Sequence, residues 1–320
     1  MKRILICILP AILAYSVHPA LGQSYPSRAI RLIVPFAPGG GSDLIARIAA
    51  QKLTEAMGQQ VIVDNRPGAG GTVGVELGVK APADGYTLTL IAPSYTVGPS
   101  IYKLTFDAAN DITAIIQLTR GAFLLAVHPS LPVKNVKELI ALAKARPGEM
   151  SYASGGAGSG IHLAMELFLD MAGIRVLHVP YKGTGPALND TIAGHVQMLW
   201  GTTPSTLPQV KSGRLRGVAV STPKRIPAAP DIPTVTEPGL KGYEVVLWHG
   251  LIGPKGLPAP VLGRINGELN KALKAKEMEE RLAASGVAPA GGTSEQFMAE
   301  IRKGIEVWGR VVKKIGVKAD

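Results

Sequence analysis

Arg31-Leu-Ile-Val-Pro-Phe-Ala-Pro-Gly-Gly-Gly-Ser-Asp43 is the segment on which the reading of this chain turns. Leu32, Ile33, Val34 and Phe36 make an apolar run of the length expected for a buried strand. Pro38 and Gly39-Gly40-Gly41 end it, and three glycines let a ligand approach the main chain closely. Ser42 and Asp43 are both good helix-capping residues. Apolar residues then recur at 44, 45, 48, 49 and 53, a helical spacing. The unit is strand, glycine loop, helix N-terminus. Unpaired N–H groups and the positive end of the helix dipole gather at such a junction, which suits an anion. A tight turn that holds no ligand fits the same residues.

Outward from this unit, Gln60–Asp64 is expected as a strand and Asn65-Arg-Pro-Gly-Ala-Gly-Gly71 as a second glycine-rich turn. Val73–Lys80 reads as a short helix and Tyr86–Ala92 as a third strand that ends at Pro93-Ser-Tyr-Thr96. Strand and helix alternate, as in a parallel α/β unit. Ala122–Val127 reads as a further strand, and Lys134–Arg146 as an amphipathic helix closed by Pro147-Gly148. The opening unit then returns in degenerate form. Met150–Ser154 is its strand, Gly155-Gly-Ala-Gly-Ser-Gly160 its loop and Ile161–Met171 its helix. Arg175–Val179 and His195–Trp200 follow as strands, with a helix running from Pro186 to Ala193 between them. Two such units suggest two lobes facing one cleft, because open α/β sheets bind ligands beyond the carboxyl ends of their strands.

The remainder is a strand at Leu215–Val220, a proline-rich connection at Pro223–Pro238, an apolar segment at Tyr243–His249, and helices at Pro260–Ser285 and Thr293–Ile315. Thr293 and Gln296 have capping-box spacing. These last helices are expected to return to the first lobe. The chain would then cross between lobes near Ala122–Val127 and near Leu215–Ser221, with a hinge there. The expected organisation is a signal peptide at 1–22, a first lobe from 23–122 and 222–320, and a second lobe from 123–221.

The ends and the composition narrow the function. Met1-Lys-Arg3, the apolar run Ile4–Val17 and Ala20-Leu-Gly22 resemble a secretory signal peptide cut before Gln23. The run is too short for a spanning helix. Cys7, the single cysteine, lies inside it, so the mature chain has neither disulfide nor cysteine–zinc site. Export without disulfides suits a bacterial periplasm. The net charge of +11 favours anionic partners. The basic residues are scattered, which argues against nucleic acid and for a small-molecule anion. His128 and His178 lack metal-ligand spacing, and no His-Glu-x-x-His occurs, so neither metal nor cofactor is expected.

A rival reading is an exported serine hydrolase. Ser100-Ile-Tyr-Lys103, Tyr152-Ala-Ser154 and Lys182-Gly-Thr184 echo the order of motifs in penicillin-binding enzymes. Against it, a true Lys-Thr-Gly is absent, Ser100 is expected in a loop after Pro99, and Ser221-Thr-Pro-Lys224 repeats Ser-x-x-Lys by chance. The glycine loops also depart from the dinucleotide fingerprint, which disfavours a nicotinamide enzyme.

Tyr25–Arg47 (YPSRAIRLIVPFAPGGGSDLIAR), Val61–Gly71 (VIVDNRPGAGG), His178–Asp190 (HVPYKGTGPALND) and Ile232–Leu251 (IPTVTEPGLKGYEVVLWHGL) resemble the Bug family. These are the extracytoplasmic solute-binding proteins associated with tripartite tricarboxylate transporters. The resemblance covers essentially the whole mature chain. It implies a type II periplasmic binding protein: two lobes of mixed sheet flanked by helices, with a central cleft for a small organic carboxylate. It implies capture without catalysis, and membrane transporter subunits or a sensor kinase as partner to a monomeric receptor. The first-lobe contacts it implies are Phe36, Ala37, Gly39, Gly40 and Asp43. In the second lobe they are Ser154, Gly155, Gly158, Ser159 and His162. Ser94, Tyr95, Tyr181, Lys182, Thr202 and Thr203 would be loop ends facing the cleft, and Trp248 and His249 an aromatic wall. His162 reads more readily as a structural histidine than as a contact, Lys182 at least as readily as a solvated loop residue, and Trp248 as core or cleft wall alike.

Two departures from the family pattern bear on the ligand. Relatives often have an Asp-Asn-Leu-Pro-like sequence where this chain has Gly201-Thr-Thr-Pro204, and losing the acid argues against an amino-acid ammonium. Relatives also often have Ser-Ser-Gly-Asn-Gly where this chain has Ser154-Gly-Gly-Ala-Gly158. That change leaves main-chain N–H groups and space for a bulkier or flatter carboxylate, aromatic ones included.

Overall fold

The computed structural model describes residues 25–318, so the signal-peptide reading of 1–22 lies outside the described residues. β1 (Ile30–Val34) buries Ile30, Leu32, Ile33 and Val34 completely. A strand apolar on both faces is covered by helices on both sides, as parallel sheets are. α1 (Gly41–Met57) follows the glycine loop, then β2 (Val61–Asn65), a short 3-10 turn, α2 (Thr72–Val79), β3 (Thr87–Ile91) and α3 (Ser94–Ile101). β1 pairs in parallel with both β2 and β3.

β4 (Ile112–Val127) and α4 (Val136–Ala145) lead to a second set of elements in the same order. This set is β5 (Ser151–Ser154), α5 (Gly160–Ala172), β6 (Leu177–Pro180), α6 (Thr184–Ile192), β7 (Met198–Thr202) and α7 (Thr203–Lys211). Here β5 pairs in parallel with β6 and β7, as β1 does with β2 and β3. The chain ends with β8 (Arg216–Val220), β9 (Val246–Pro254), α8 (Ala259–Leu273), α9 (Lys276–Ala284), β10 (Val287–Gly291) and α10 (Ser294–Ile315).

β4 belongs to both halves of the sheet. Residues up to Ala122 pair antiparallel with β9, and Gln117–Gly121 also with β10. From Phe123 onward it pairs antiparallel with β7 and β8. The strand order β2-β1-β3-β9-β4-β7-β5-β6 is therefore a mixed, continuous path. A buried apolar cluster crosses it, joining Leu32, Leu90 and Leu118 to Phe123, Leu125 and Trp200. After β8 the chain stays on the second half-sheet: Tyr243 Oη donates to Ala164 O at 2.8 Å, and Val245 N–H to Ser221 O at 3.0 Å. At Val246 it enters β9 and the first.

Several elements depart from the expected pattern. α3 and α7 stand where strand ends and loops are expected, and Ser100 lies in α3. Pro99 and Pro204 read as breakers, but Pro204 sits in the first turn of α7, where its missing N–H costs nothing. The helix expected over Pro260–Ser285 is two helices, because Ala275 is extended and caps α9. β10 carries Pro289 and is tolerated because it pairs with β4 alone, at an edge. The Thr293–Gln296 capping box is formed in both directions.

Candidate functional site

A small cavity of about 30 Å³ lies where the two halves of the sheet meet. Gly40, Ser42, Ser159, Gly160, Thr184 and Thr202 line its polar side. Each belongs to a helix start: Gly40 caps α1, Ser159 caps α5, Thr184 opens α6 and Thr202 caps α7. The first N–H groups of a helix have no partner within it, and each start carries about half a positive charge. Four such ends around one small volume favour an anionic headgroup. Phe36, Phe123 and Leu247 add hydrocarbon to the lining.

The two halves touch across this space. Ala37 N–H donates to Lys182 O at 2.9 Å, and Gly41 N–H to Thr202 Oγ1 at 3.1 Å. Farther along the rim, Tyr102 Oη donates to Ala157 O at 2.7 Å. A Cβ on Gly185 would lie 2.3 Å from Pro38 O, and one on Gly40 3.3 Å from Gly185 N. Glycine is needed here for close approach of two main chains.

Asp43 shapes the first loop from beneath. It is buried, and its carboxylate accepts from Gly39 N–H at 3.1 Å, Arg47 Nε at 3.0 Å and Asn65 Nδ2 at 3.0 Å. Burial alone would raise its pKa; the Arg47, Asn65 and Gly39 hydrogen bonds outweigh that and hold it below the usual carboxylate range. The carboxylate is committed to the loop. The expected side-chain cap on α1 is absent: Gly40 takes that position. In the second loop, Ser159 Oγ does cap α5, accepting from His162 N–H at 3.3 Å.

The profile of the tripartite tricarboxylate transporter family receptor matches residues 45–317. The chain belongs to that family. BugT of Bordetella pertussis is 36% identical over 94% of this chain and 93% of its own length. The structure of the periplasmic binding protein BugD superposes with a TM-score of 0.89 at 33% identity, covering 92% of this chain and 100% of that one. A Rhodopseudomonas palustris protein solved with adipate gives 0.89 at 34% identity, with 92% and 99% covered. The fold is that of these solute-binding receptors.

Within this receptor fold, the residues expected at the cleft divide. Phe36, Gly40, Gly155, Ser159 and Thr202 line the cavity. Ala37 and Gly39 sit on the same loop with their N–H groups engaged by Lys182 and Asp43. Gly158 is in the second loop and donates its N–H to His162 behind it; Ser154, at the end of β5, bonds His178 and accepts from Gly156 N–H. Ser94 and Tyr95 line a separate small pocket, and Tyr95 Oη donates to Ala108 O at 2.7 Å. Tyr181 donates to Asp190 at 2.6 Å, and burial and that carboxylate push its phenol up to about 12. The Lys182 side chain is exposed. Thr203 Oγ1 donates to Ala122 O at 3.0 Å. Trp248 packs edge-on to Phe297, centroids 5.8 Å apart. His249 is fully buried against Thr119.

Phe123, Leu247, Thr184 and Ser42 line the cavity but are not among the contacts expected from sequence. Thr184 and Ser42 carried a signal, since each is the polar residue beside a glycine at a helix start. Phe123 and Leu247 carried none, because strand residues reveal their neighbours only once pairing is known. Ser100 is exposed, with its hydroxyl against α10, and Lys103 is exposed beyond the end of α3. Among the described residues no three His, Cys, Asp or Glu side chains are grouped to hold a metal ion, and no helix is long and apolar enough to cross a membrane.

Proposed function

We propose that this chain is a monomeric periplasmic receptor that captures a small organic carboxylate between two lobes and delivers it to the membrane subunits of a tripartite tricarboxylate-type transporter. One observation carries the reading: the N-termini of α1, α5, α6 and α7 meet at a single cavity. The adipate-bound relative supports a carboxylate as the ligand class. None of the described residues lining the cavity is acidic, which disfavours an amino-acid ammonium and favours di- or aromatic carboxylates. Residues 1–22 direct export and are removed.

The mechanism is capture. The lobes comprise 23–122 with 222–320, and 123–221, with the 222–245 connection riding on the second. They separate to admit the ligand and close on its headgroup. Out of water, each charge-assisted hydrogen bond contributes about 1.5–3 kcal/mol. The Ala37–Lys182 and Gly41–Thr202 bonds form only in the closed state, so the ligand shifts the population toward it. The closed surface is what the membrane subunits read. Catalysis has no support at Ser100, whose hydroxyl faces α10 and not the cleft.

A thermal-shift panel tests the reading. Mono-, di- and aromatic carboxylates are compared with amino acids, and one carboxylate class should raise the melting temperature through binding linkage. Stabilisation by amino acids and by no carboxylate would sink it. Labelling of Ser100 by a penicillin-type probe would restore the hydrolase reading.

A further inference from the structure

Three rings stack behind the second glycine loop. Tyr152 of β5, His178 of β6 and His162 of α5 lie nearly parallel: His162 and His178 have centroids 4.2 Å apart at 16°, and Tyr152 and His178 4.9 Å apart at 16°. Neither histidine lines the cavity. Both reach the loop that does. Gly158 N–H donates to His162 Nδ1 at 3.1 Å. Ser154 Oγ hydrogen-bonds His178 Nε2 at 2.5 Å and accepts from Gly156 N–H at 3.0 Å. Gly156 and Gly158 have φ of 106° and 71°, in the region that only glycine enters freely. The two left-handed residues that bend the loop are thus each held from behind, one directly by a histidine and one through a serine that a second histidine orients.

His162 is suited to accept. It is buried, and burial, followed by His178, pulls its pKa down to about 3, so the ring is neutral. With Nδ1 accepting, its proton sits on Nε2, which faces Glu166 Oε1 at 3.9 Å. Glu166 also accepts from the Tyr152 hydroxyl.

We propose that His162, backed by His178, is a positioning residue for ligand capture: it holds Gly158 so that the loop before α5 presents its N–H groups to the cavity. This rests on the cavity being the carboxylate site. Gly158 is buried, so removing the acceptor leaves a donor that must find water by moving the loop.

The test uses His162→Ala and His162→Asn in the full mature protein. Both abolish the ring stack; only Asn keeps an acceptor near the position of Nδ1. Amide exchange is read over 154–159 without ligand, and adipate binding is read by calorimetry. Ala should speed exchange and weaken adipate binding about tenfold, the order expected for one unsatisfied buried donor. Asn should return both close to wild type. A purely structural role would lower the melting temperature of both variants alike and leave the two indistinguishable in exchange and affinity, which overturns the proposal. So does an Ala variant that behaves as wild type. Should wild type bind no member of the mono-, di- and aromatic carboxylate panel, the carboxylate reading falls, while the exchange arm still decides whether His162 holds the loop.

Discussion

Gly40 is glycine for want of space and for no other reason. Its φ of −85° is open to any residue, but a Cβ there would lie 3.3 Å from both Gly185 N and Thr184 Cβ. Gly40→Val should therefore fold, and should lose carboxylate binding because its γ-carbons fill the cavity. The check is a melting temperature within a few degrees of wild type together with no ligand-induced shift. His249 makes a different demand. Its Nδ1 bonds Thr119 Oγ1 at 2.9 Å, its buried Nε2 has no hydrogen-bond partner among the described residues, and burial drops its pKa from 6.5 to about 3. Below pH 6.5 the unfolded chain takes up a proton that the native ring refuses. The stability is complete above 6.5 and drains away as the pH falls toward 3. His249→Asn removes this titration, so the pH dependence of stability in that window should flatten by up to about 1.4 kcal/mol per pH unit. His162, shifted the same way, leaves part of the slope in place.

At the scale of elements, the proposed capture site and part of the stability share the same helix starts, and a pair of caps can separate the two. Ser159 caps α5 at the cavity, whereas Asn135 caps α4 away from it, its side chain accepting from Glu138 N–H at 3.0 Å. Ser159→Ala and Asn135→Ala should each cost about 1 kcal/mol in denaturant unfolding. Only Ser159→Ala should weaken carboxylate affinity, because only that cap shapes the cavity wall. The first strand–glycine loop–helix unit was legible because β1 is a short, mostly apolar run stopped by glycine, a signal that needs no tertiary partner; the second, whose β5 is Ser-Tyr-Ala-Ser, was legible from its glycine loop and from repeating the first. α7 and β10 carry prolines that are harmless only in context, Pro204 in a first turn and Pro289 on an edge, while α3 carries Pro99 in its interior. The break between α8 and α9 rests on one extended residue, Ala275, in a run with good helical propensity throughout. The N–H side of the cavity followed from the same loop signals. Its hydrocarbon lining did not, since Phe123 and Leu247 come from strands that meet only through pairing.

For the molecule as a whole, Gly185 meets Pro38 O across the two lobes so closely that a Cβ there would lie at 2.3 Å. Gly185 has no positive φ, so Gly185→Ala strains nothing inside its own lobe. It should hold the cleft ajar. Small-angle scattering should give a radius of gyration above that of carboxylate-saturated wild type, and adipate should not contract it. An unchanged radius would mean that the lobes do not meet there in solution. Two similar halves could be read from the repeat, but the extent of β4 could not. Thr119-Arg120-Gly121 interrupts its apolar pattern, and Arg120 is exposed in mid-strand.

That one strand has a thermodynamic consequence. β4 supplies a hydrogen-bonding edge to β9 and β10 at one end and to β7 and β8 at the other, so neither half can melt without stripping its twin of a neighbour. Differential scanning calorimetry should record a single endotherm, displaced intact by any bound guest, where a pair of beads on a string would give two.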